Sequence, residues 1–550
     1  MRSIATKLPS VASRVSLGPL GTLDDAAFTV RVLAAAGVIR PVRPDRLARG
    51  VRELVRWGAS PSAGIATAAI GQPHESAVLD EAGSLTFSQL HRRSNALARG
   101  LEASGVREGD GIAIMCRNHR GFLEATLACS KLGAHGLYLN TAFAGPQLVE
   151  VVEREEPVAL VYDQEFAGLL GEAGRDVWRF VAWTDDEEVE DPTLDGLIDS
   201  NHDSDLDAPE ESSRFVILTS GTTGAPKGAQ RGQPDTLVPF AALLSKIPLR
   251  ARERTMIAAP LFHSWGFAHF TLGLALDSTY VLRRRFDPEE TLRATASSGA
   301  TALVVVPVMM QRILELPVEV IARYDLSALR VTAASGSALP GELAVEWMDT
   351  FGDNLYNLYG STEVAWATIA TPEDLRAAPG TAGRPPRGTV VRIVDHDGRD
   401  VAPGRTGRVF VGNEMTFEGY TGGGAKEQLG GLMSSGDVGH FDSAGRLFID
   451  GRDDEMIVSG GENVFPREVE DLLAAHASIL EAAVIGVPDE DYGQRLKAFV
   501  VAHPDRELSE DEVKEHVKVN LARFKVPREV EFLDSLPRNA TGKVLKRELA

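Results

Sequence analysis

The sequence predicts an α/β protein: a large N-terminal α/β body of several subdomains, followed by a small α+β C-terminal domain. Three observations carry this expectation. Short β-rich apolar runs alternate with stretches of helical periodicity, the pattern of α/β units. The chain has 550 residues, several times the length of one domain. Its texture changes near Gly451, after which helical and strand-like segments crowd into about 100 residues. The expected divisions are an N-terminal extension over residues 1–74, a main body over 75–450 and a C-terminal domain over 451–550.

Near the start, Ala26 to Ile39 is apolar but interrupted by Arg31, and a membrane span needs about 20 apolar residues. The order of a secretory signal is also missing, so a cytoplasmic location is expected. Arg46, Arg49, Arg52 and Arg56 interleave with Leu47, Val51, Leu54, Val55 and Trp57, which reads as a basic amphipathic helix. Such a helix could lie peripherally on the inner membrane face; packing on its own domain is the plainer expectation. Leu90, Leu97 and Leu101 recur at helical spacing after Ser88, a candidate N-cap. Asp203 to Ser212 is acidic and contains proline, as a subdomain joint would. Phe215 to Leu218 is a short strand leading into a glycine-rich loop. Thr301 to Val306 reads as a buried strand closed by Pro307.

In the C-terminal part, Pro466 opens a helix with Val469, Leu472 and Leu473 on one stripe. Residues 482–487 and 498–502 read as strands. Ser509 and Glu512 form a capping box ahead of Val513, Val517 and Leu521.

Charge and cysteine content exclude several functions. Lys plus Arg total 57 and Asp plus Glu 78, a net charge of −21. Nucleic acid is therefore not expected as a partner, because duplex binding needs a clustered positive surface. Cys116 and Cys129 alone rule out a disulfide framework and any zinc site built from several cysteines.

The strongest chemical signal is Thr219-Ser220-Gly221-Thr222-Thr223-Gly224-Ala225-Pro226-Lys227-Gly228. Glycines let amides turn toward an anion, hydroxyls add donors and the lysine brings positive charge, the parts of a phosphate cradle. The glycine spacing differs from a Walker A loop, and glycine rather than Ser or Thr follows the lysine. Further segments stand in series: PLFHSWG (260–266), SGSALP (335–340), YNLYGSTE (356–363), SSGDVGHFD (434–442), GRDDEMIVSGGENVFPREVE (451–470) and PRNATGK (537–543). In content and order these motifs resemble the AMP-forming acyl-CoA synthetases of the adenylate-forming ligase superfamily, over residues 75–550.

The resemblance implies two half-reactions. A carboxylate attacks the α-phosphate of ATP, giving an acyl-adenylate and pyrophosphate; the thiol of CoA then attacks the acyl carbonyl and AMP leaves. It also implies roles. Thr219, Ser220, Gly221, Thr222, Thr223, Gly224 and Lys227 would bind phosphates. Gly336 and Ser337 would line the adenine pocket, and Tyr359 would stack on the base with Gly360 and Ser361 beside it. Thr362 would bind the α-phosphate, Glu363 would hold Mg²⁺, and Asp437 with Arg452 would bind the ribose hydroxyls. Lys543 would bridge carboxylate and α-phosphate. Asp454 would be the hinge of a mobile C-terminal domain, and Gly460 and Gly461 would admit the pantetheine arm. His263 would stand between the acyl and nucleotide sites.

Trp265, Phe267 and Phe270, with Val308 and Met309, suggest an apolar acyl pocket, although an aromatic cluster is also ordinary core. The expected substrate is thus a small-molecule carboxylic acid, fatty or otherwise hydrophobic. A fatty acyl-AMP ligase serving a carrier protein is the alternative, and oligomeric state is open. One stretch departs from the family: GLMSSGD stands where an aromatic-containing GWFxTGD is usual, with Leu432 and Ser435 replacing Trp and Thr. That departure bears on local packing.

Overall fold

The computed structural model describes residues 19–549, apart from 144, 172, 174–176, 186–188, 220–226, 232–235, 416, 421–425, 456, 460–461, 490–492, 505 and 540–541. The chain divides into two compact units. One comprises Leu17–Ala334 with Glu414–Ala425; the other comprises Ser335–Asn413 with Lys426–Ala550.

The first unit is built on two sheets. One runs Val331–Ala334, Ala302–Val305, Arg254–Ile257, Thr279–Leu282, Ser76–Asp80, Gly83–Thr86, parallel except for the final hairpin. The other runs Phe417–Tyr420, Lys227–Arg231, Phe215–Thr219, His135–Tyr138, Gly111–Met115, Ala159–Asp163, Trp178–Trp183. The expected strand at 301–306 is present, but Pro307 does not merely close it. That proline opens the helix Pro307–Leu314 at its first turn, where a missing N–H costs nothing.

Two sequence expectations change. The helix Phe87–Ala103 is capped by Thr86 rather than Ser88. Thr86 Oγ1 accepts from the Gln89 N–H while Gln89 Oε1 accepts from the Thr86 N–H, so two donors are satisfied reciprocally. The acidic segment 203–212 is not a joint, because the strands before and after it, Trp178–Trp183 and Phe215–Thr219, belong to one sheet. It is instead a strap across the helix Phe87–Ala103. Asp203 pairs with Arg92, Asp205 with His91, and Asn95 donates to the Asp203 carbonyl. Beneath the strap the Lys131 ammonium is fully buried, donating to the His91 carbonyl (2.8 Å), Ser94 Oγ (2.7 Å) and Asn95 Oδ1 (2.5 Å). Burial pulls its pKa well below the ordinary lysine value.

The second unit contains the hairpin Leu355–Tyr359/Thr368–Ala370 and a sheet of Val390–Val394, Gly407–Gly412, Leu432–Phe441 and Gln428–Leu429, with Leu447–Arg452 also pairing Leu432–Phe441. Its last hundred residues form the expected α+β element. The strands Ile479–Asp489 and Gly493–Ala502 pair antiparallel, and the helices Pro466–Ala474 and Glu510–Asn520 bury Val469, Leu473, Val513 and Val517 in one apolar cluster. The Ser509–Glu512 capping box is formed.

Replacing Thr86 with Ala removes the acceptor of the Gln89 N–H and leaves only the bond that the residue-86 amide donates to Gln89 Oε1. Hydrogen exchange in the first turn of the helix Phe87–Ala103 should accelerate by an amount equivalent to about 1 kcal/mol of local stability, while the Glu510–Asn520 helix exchanges as before.

Candidate active site

The glycine-rich loop connects two antiparallel strands: Leu218 pairs with Gly228 and Thr219 with Lys227. A strand, Lys227–Arg231, and not a helix therefore follows the loop, so the phosphate cradle expected there would work without a helix dipole. Ser220, Gly221, Thr222, Thr223 and Gly224 lie outside the described residues, as do Gly460 and Gly461.

In the same unit, His263 stands at the N-cap of the helix Ser264–Ala275 without using its side chain as a cap. The residue as a whole is half-buried, yet its Nε2 is shut off from solvent with no hydrogen-bond partner among the described residues. Desolvation lowers its pKa to about 4, so the ring is neutral near pH 7. Its segment is fixed by Asn118, a residue that no sequence motif singles out. Asn118 Nδ2 donates to the Ile257 and Ala259 carbonyls, and Oδ1 accepts from the Leu261 N–H. His269 was likewise unforeseen: it packs edge-on against Trp265, and its Nε2 is buried without a partner among the described residues. Phe270 is fully buried between Phe267 and Tyr280 and serves as core. Trp265 is also buried, donating from Nε1 to the Val305 carbonyl.

The second unit holds the other side chains. Tyr359 ends its strand and Asp437 sits in Leu432–Phe441, where register places it opposite Arg452. The Tyr359 hydroxyl donates to Asp437 Oδ2 at 2.5 Å, and Arg452 Nη1 lies 3.4 Å from Oδ1. Ser435 Oγ accepts from the Asp437 N–H (3.1 Å), donates to the Val409 carbonyl (3.2 Å) and lies 3.2 Å from the tyrosine oxygen. Serine in place of threonine therefore keeps the hydroxyl that this network needs. Leu432, in place of tryptophan, packs with Val394 and Phe410.

Burial pushes the Asp437 carboxyl above its ordinary pKa, against the opposing effects of the Tyr359 hydrogen bond, Arg452 and Lys543. Burial and the Asp437 charge push the Tyr359 phenol well up. The Lys543 charge acts on Asp437, so the structure brings these two motifs together although they are 106 positions apart. Lys543 is exposed at the end of a tight loop: its N–H donates to Asn539 Oδ1, and its carbonyl accepts from the Asn539 N–H. Gly542, at φ 77°, makes that turn.

Ser361 Oγ donates to Glu363 Oε2 at 2.8 Å and accepts from the Glu363 and Val364 amides, which shapes the turn carrying Thr362 and Glu363. A side chain at Gly360 would put a Cβ 2.0 Å from the Ala365 carbonyl oxygen, so only glycine fits. Asn413, also unforeseen, clamps this turn by donating to the Val364 and Trp366 carbonyls. Gly336 is exposed and Ser337 half-buried at the start of the unit. Asp454 falls in the single 3₁₀ turn Asp453–Glu455. Its neighbours are tied in opposite directions, Asp453 to Arg408 (3.0 Å) and Glu455 to Lys546 (3.0 Å).

One further cluster has metal-ligand chemistry, Cys116, His119 and Asp163. Both nitrogens of His119 are already engaged: Nδ1 accepts from the Gly121 N–H and Nε2 faces Asp163 Oδ1 at 2.7 Å. That cluster holds the fold together rather than an ion.

Comparison with known proteins identifies the family. Residues 65–421 match the AMP-binding enzyme family and residues 468–543 its C-terminal domain. A feruloyl-CoA synthase of Amycolatopsis sp is 34% identical over 489 residues, covering 87% of this chain and 96% of the relative. A fatty acid–[acyl-carrier-protein] ligase, ScoC of Streptomyces coeruleorubidus, is 30% identical, covering 87% and 93%. The crystal structure of the anthranilate CoA ligase AuaEII with anthranoyl-AMP superposes with a TM-score of 0.80 at 25% identity, covering 89% and 96%. The chain belongs to the AMP-binding enzyme family, the adenylate-forming ligases, and within it is an AMP-forming acyl-CoA synthetase.

Two outcomes test the Asp437 network. Ser435→Ala leaves the Asp437 amide without its acceptor and should weaken AMP binding about tenfold by calorimetry, whereas Ser435→Thr should preserve it. A ribose diol held by Asp437 would need the ionised carboxylate, and the Asp437 pKa is raised. AMP affinity should therefore be full at neutral pH and decline on acidification while still above the ordinary aspartate range of about 4; in Asp437→Asn this decline should vanish.

Proposed function

We propose that this synthetase activates a hydrophobic carboxylic acid, a fatty acid by first reading, through an acyl-adenylate to its CoA thioester. The observation that carries the site assignment is the Tyr359–Asp437–Arg452 network with Lys543 in electrostatic reach of it.

A carboxylate and a triphosphate repel each other, and the oxide a carboxylate would have to expel is a poor leaving group. The enzyme must therefore neutralise charge at the α-phosphate while holding both reactants in line. Asp437 would accept from the ribose hydroxyls, and Tyr359, fixed at its hydroxyl edge and packed on the cluster of Val364 and Val409, would present its ring to adenine. Thr362 and Lys543 would donate to the α-phosphate region. The carboxylate of Glu363, a hard oxygen donor, fits Mg²⁺, which when bound supplies positive charge to the phosphates. A neutral His263 suits an apolar boundary, because it offers a hydrogen bond without placing a charge beside the acyl group. In the second step CoA thiolate attacks the acyl carbonyl, AMP departs with the bonding electrons, and Asp454 would be the point about which residues 455–550 turn.

A second substrate reading, an aromatic acid, is favoured by the relatives named for feruloyl-CoA and anthranilate. ScoC favours the fatty acid and a carrier-protein acceptor. Pyrophosphate exchange across aliphatic acids of increasing length and a series of aryl acids, followed by thioester formation with CoA and with acyl carrier protein, separates these readings. Exchange with amino acids alone would overturn the substrate class.

Lys543→Ala should abolish adenylate formation but largely spare thioester formation from supplied acyl-AMP. Equal loss in both assays would remove the role assigned to this lysine.

A further inference from the structure

The first 57 residues differ from the rest of the molecule in charge. They hold ten Lys and Arg against four Asp and Glu, a net of +6 on a chain whose total is −21, which leaves −27 on the remainder. An arginine recurs at every third position from Arg40 to Arg52. This segment also precedes the residues matched by the AMP-binding enzyme family, which begin at 65, so the family's chemistry does not account for it.

The same segment concentrates exposed apolar surface. Among the described residues, eight of the fourteen exposed large apolar side chains lie between Leu23 and Val55. In the helix Pro44–Trp57, Leu47 is 56% exposed, Val51 50%, Leu54 52% and Val55 81%. At 100° per residue these four occupy an arc of about 100°, the width of a helix face that normally meets a core. Here another face meets the protein. Glu53 and Trp57 are buried, and the Trp57 indole donates to Glu53 Oε2 at 3.1 Å. Arg46 Nη1 donates to the Gly71 carbonyl and Arg56 to the Leu206 carbonyl. The helix is thus anchored along one side and carries its apolar stripe on another.

Arg52 borders the stripe beyond Val55 and Arg46 borders it on the opposite side. Arg43 and Arg52 are each about three-quarters exposed, and Arg49 about half. The pair Arg49–Asp45, at 3.5 Å, is a surface contact that a stronger anionic field can replace, and Arg52, although 3.4 Å from the buried Glu53, keeps most of its own side chain in solvent.

We propose that the helix Pro44–Trp57 is an interfacial anchor that lays Leu47, Val51, Leu54 and Val55 into an anionic lipid surface while the flanking arginines meet the headgroups. Charge complementarity selects this occupant. A neutral apolar partner would gain nothing from the arginines, whereas an anionic bilayer satisfies both faces, apolar insertion and cationic attraction acting together. The charge of −27 elsewhere is repelled by the same bilayer, which favours contact through this helix over contact through the acidic remainder. Among the described residues no helix is long and apolar enough to cross a membrane, and contact through this helix requires none.

The test is flotation of the full-length protein with vesicles of phosphatidylcholine alone or with about one-third phosphatidylglycerol, at low and high salt. Binding should be at least about tenfold stronger to the anionic vesicles and should weaken with salt. Val51→Asp/Val55→Asp should cut that binding about tenfold or more with an unchanged circular dichroism spectrum and melting temperature; if that pair fails to fold, Leu47→Ser/Val55→Ser serves instead. Arg49→Glu/Arg52→Glu should erase the preference for anionic lipid. Equal binding to both vesicle types, or binding indifferent to these substitutions, overturns the proposal. So does a concentration-dependent dimer that the Val51/Val55 change dissolves without any vesicle binding, because the occupant is then a second copy. Much tighter vesicle binding by a variant lacking residues 2–18 assigns the stripe to that segment and also overturns it.

Discussion

A buried carboxylate is the constraint around which the second unit is organised. Asp437 has lost most of its water, and burial alone would drive it toward the neutral acid. Three groups oppose that: the Tyr359 hydroxyl at one oxygen, Arg452 at the other, and the more distant charge of Lys543. Each comes from a different motif of the sequence. A polar group inside a protein needs partners whose geometry is set in advance, so the strand register that puts Asp437 opposite Arg452 is as much a part of the site as the side chains. Ser435 extends the arrangement one step further by holding the Asp437 amide and the Val409 carbonyl on one hydroxyl.

The hinge proposed at Asp454 can be understood in the same terms. Within three consecutive residues the chain is tied by Asp453 to Arg408 and by Glu455 to Lys546. Rotation at Asp454 leaves each tie on its own side of the pivot, so a change of conformation need not break either ion pair. Lys546 also reaches Glu470 at 2.8 Å, and burial raises the Glu470 pKa against that cation. Under the proposed hinge, the C-terminal element would turn as a body with its own charges satisfied, carrying Lys543 with it.

Much of this was legible before any coordinates. Pro466 at a helix start, the Ser509–Glu512 capping box and the strand within 301–306 are local signals, fixed by backbone sterics and by hydrogen bonds between residues three or four apart. Other expectations failed because a stronger neighbour competed. Thr86 displaced Ser88 as the cap, since its partner Gln89 completes a reciprocal pair. The acidic segment 203–212 looked like a linker because composition does not reveal that arginines and a histidine of a preceding helix await it. Asn118 and Asn413 went unseen: an asparagine that clamps carbonyls across a sheet or a turn carries no pattern in one dimension.

The sequence by itself determined the class of chemistry, because its ordered motifs resemble those of the AMP-forming acyl-CoA synthetases, and that resemblance is read without any knowledge of packing. It also determined several helix starts, Pro466 and Ser509 among them, which depend on short-range interactions. Tertiary structure alone decided which aromatic residues became core, as Phe270 did, and which apolar faces stayed in water, as the Leu47–Val55 stripe does. Periodicity tells how many faces a helix has and what each is made of; which face meets the protein depends on residues distant in the chain, and Gly71 and Leu206 made that choice for the helix Pro44–Trp57.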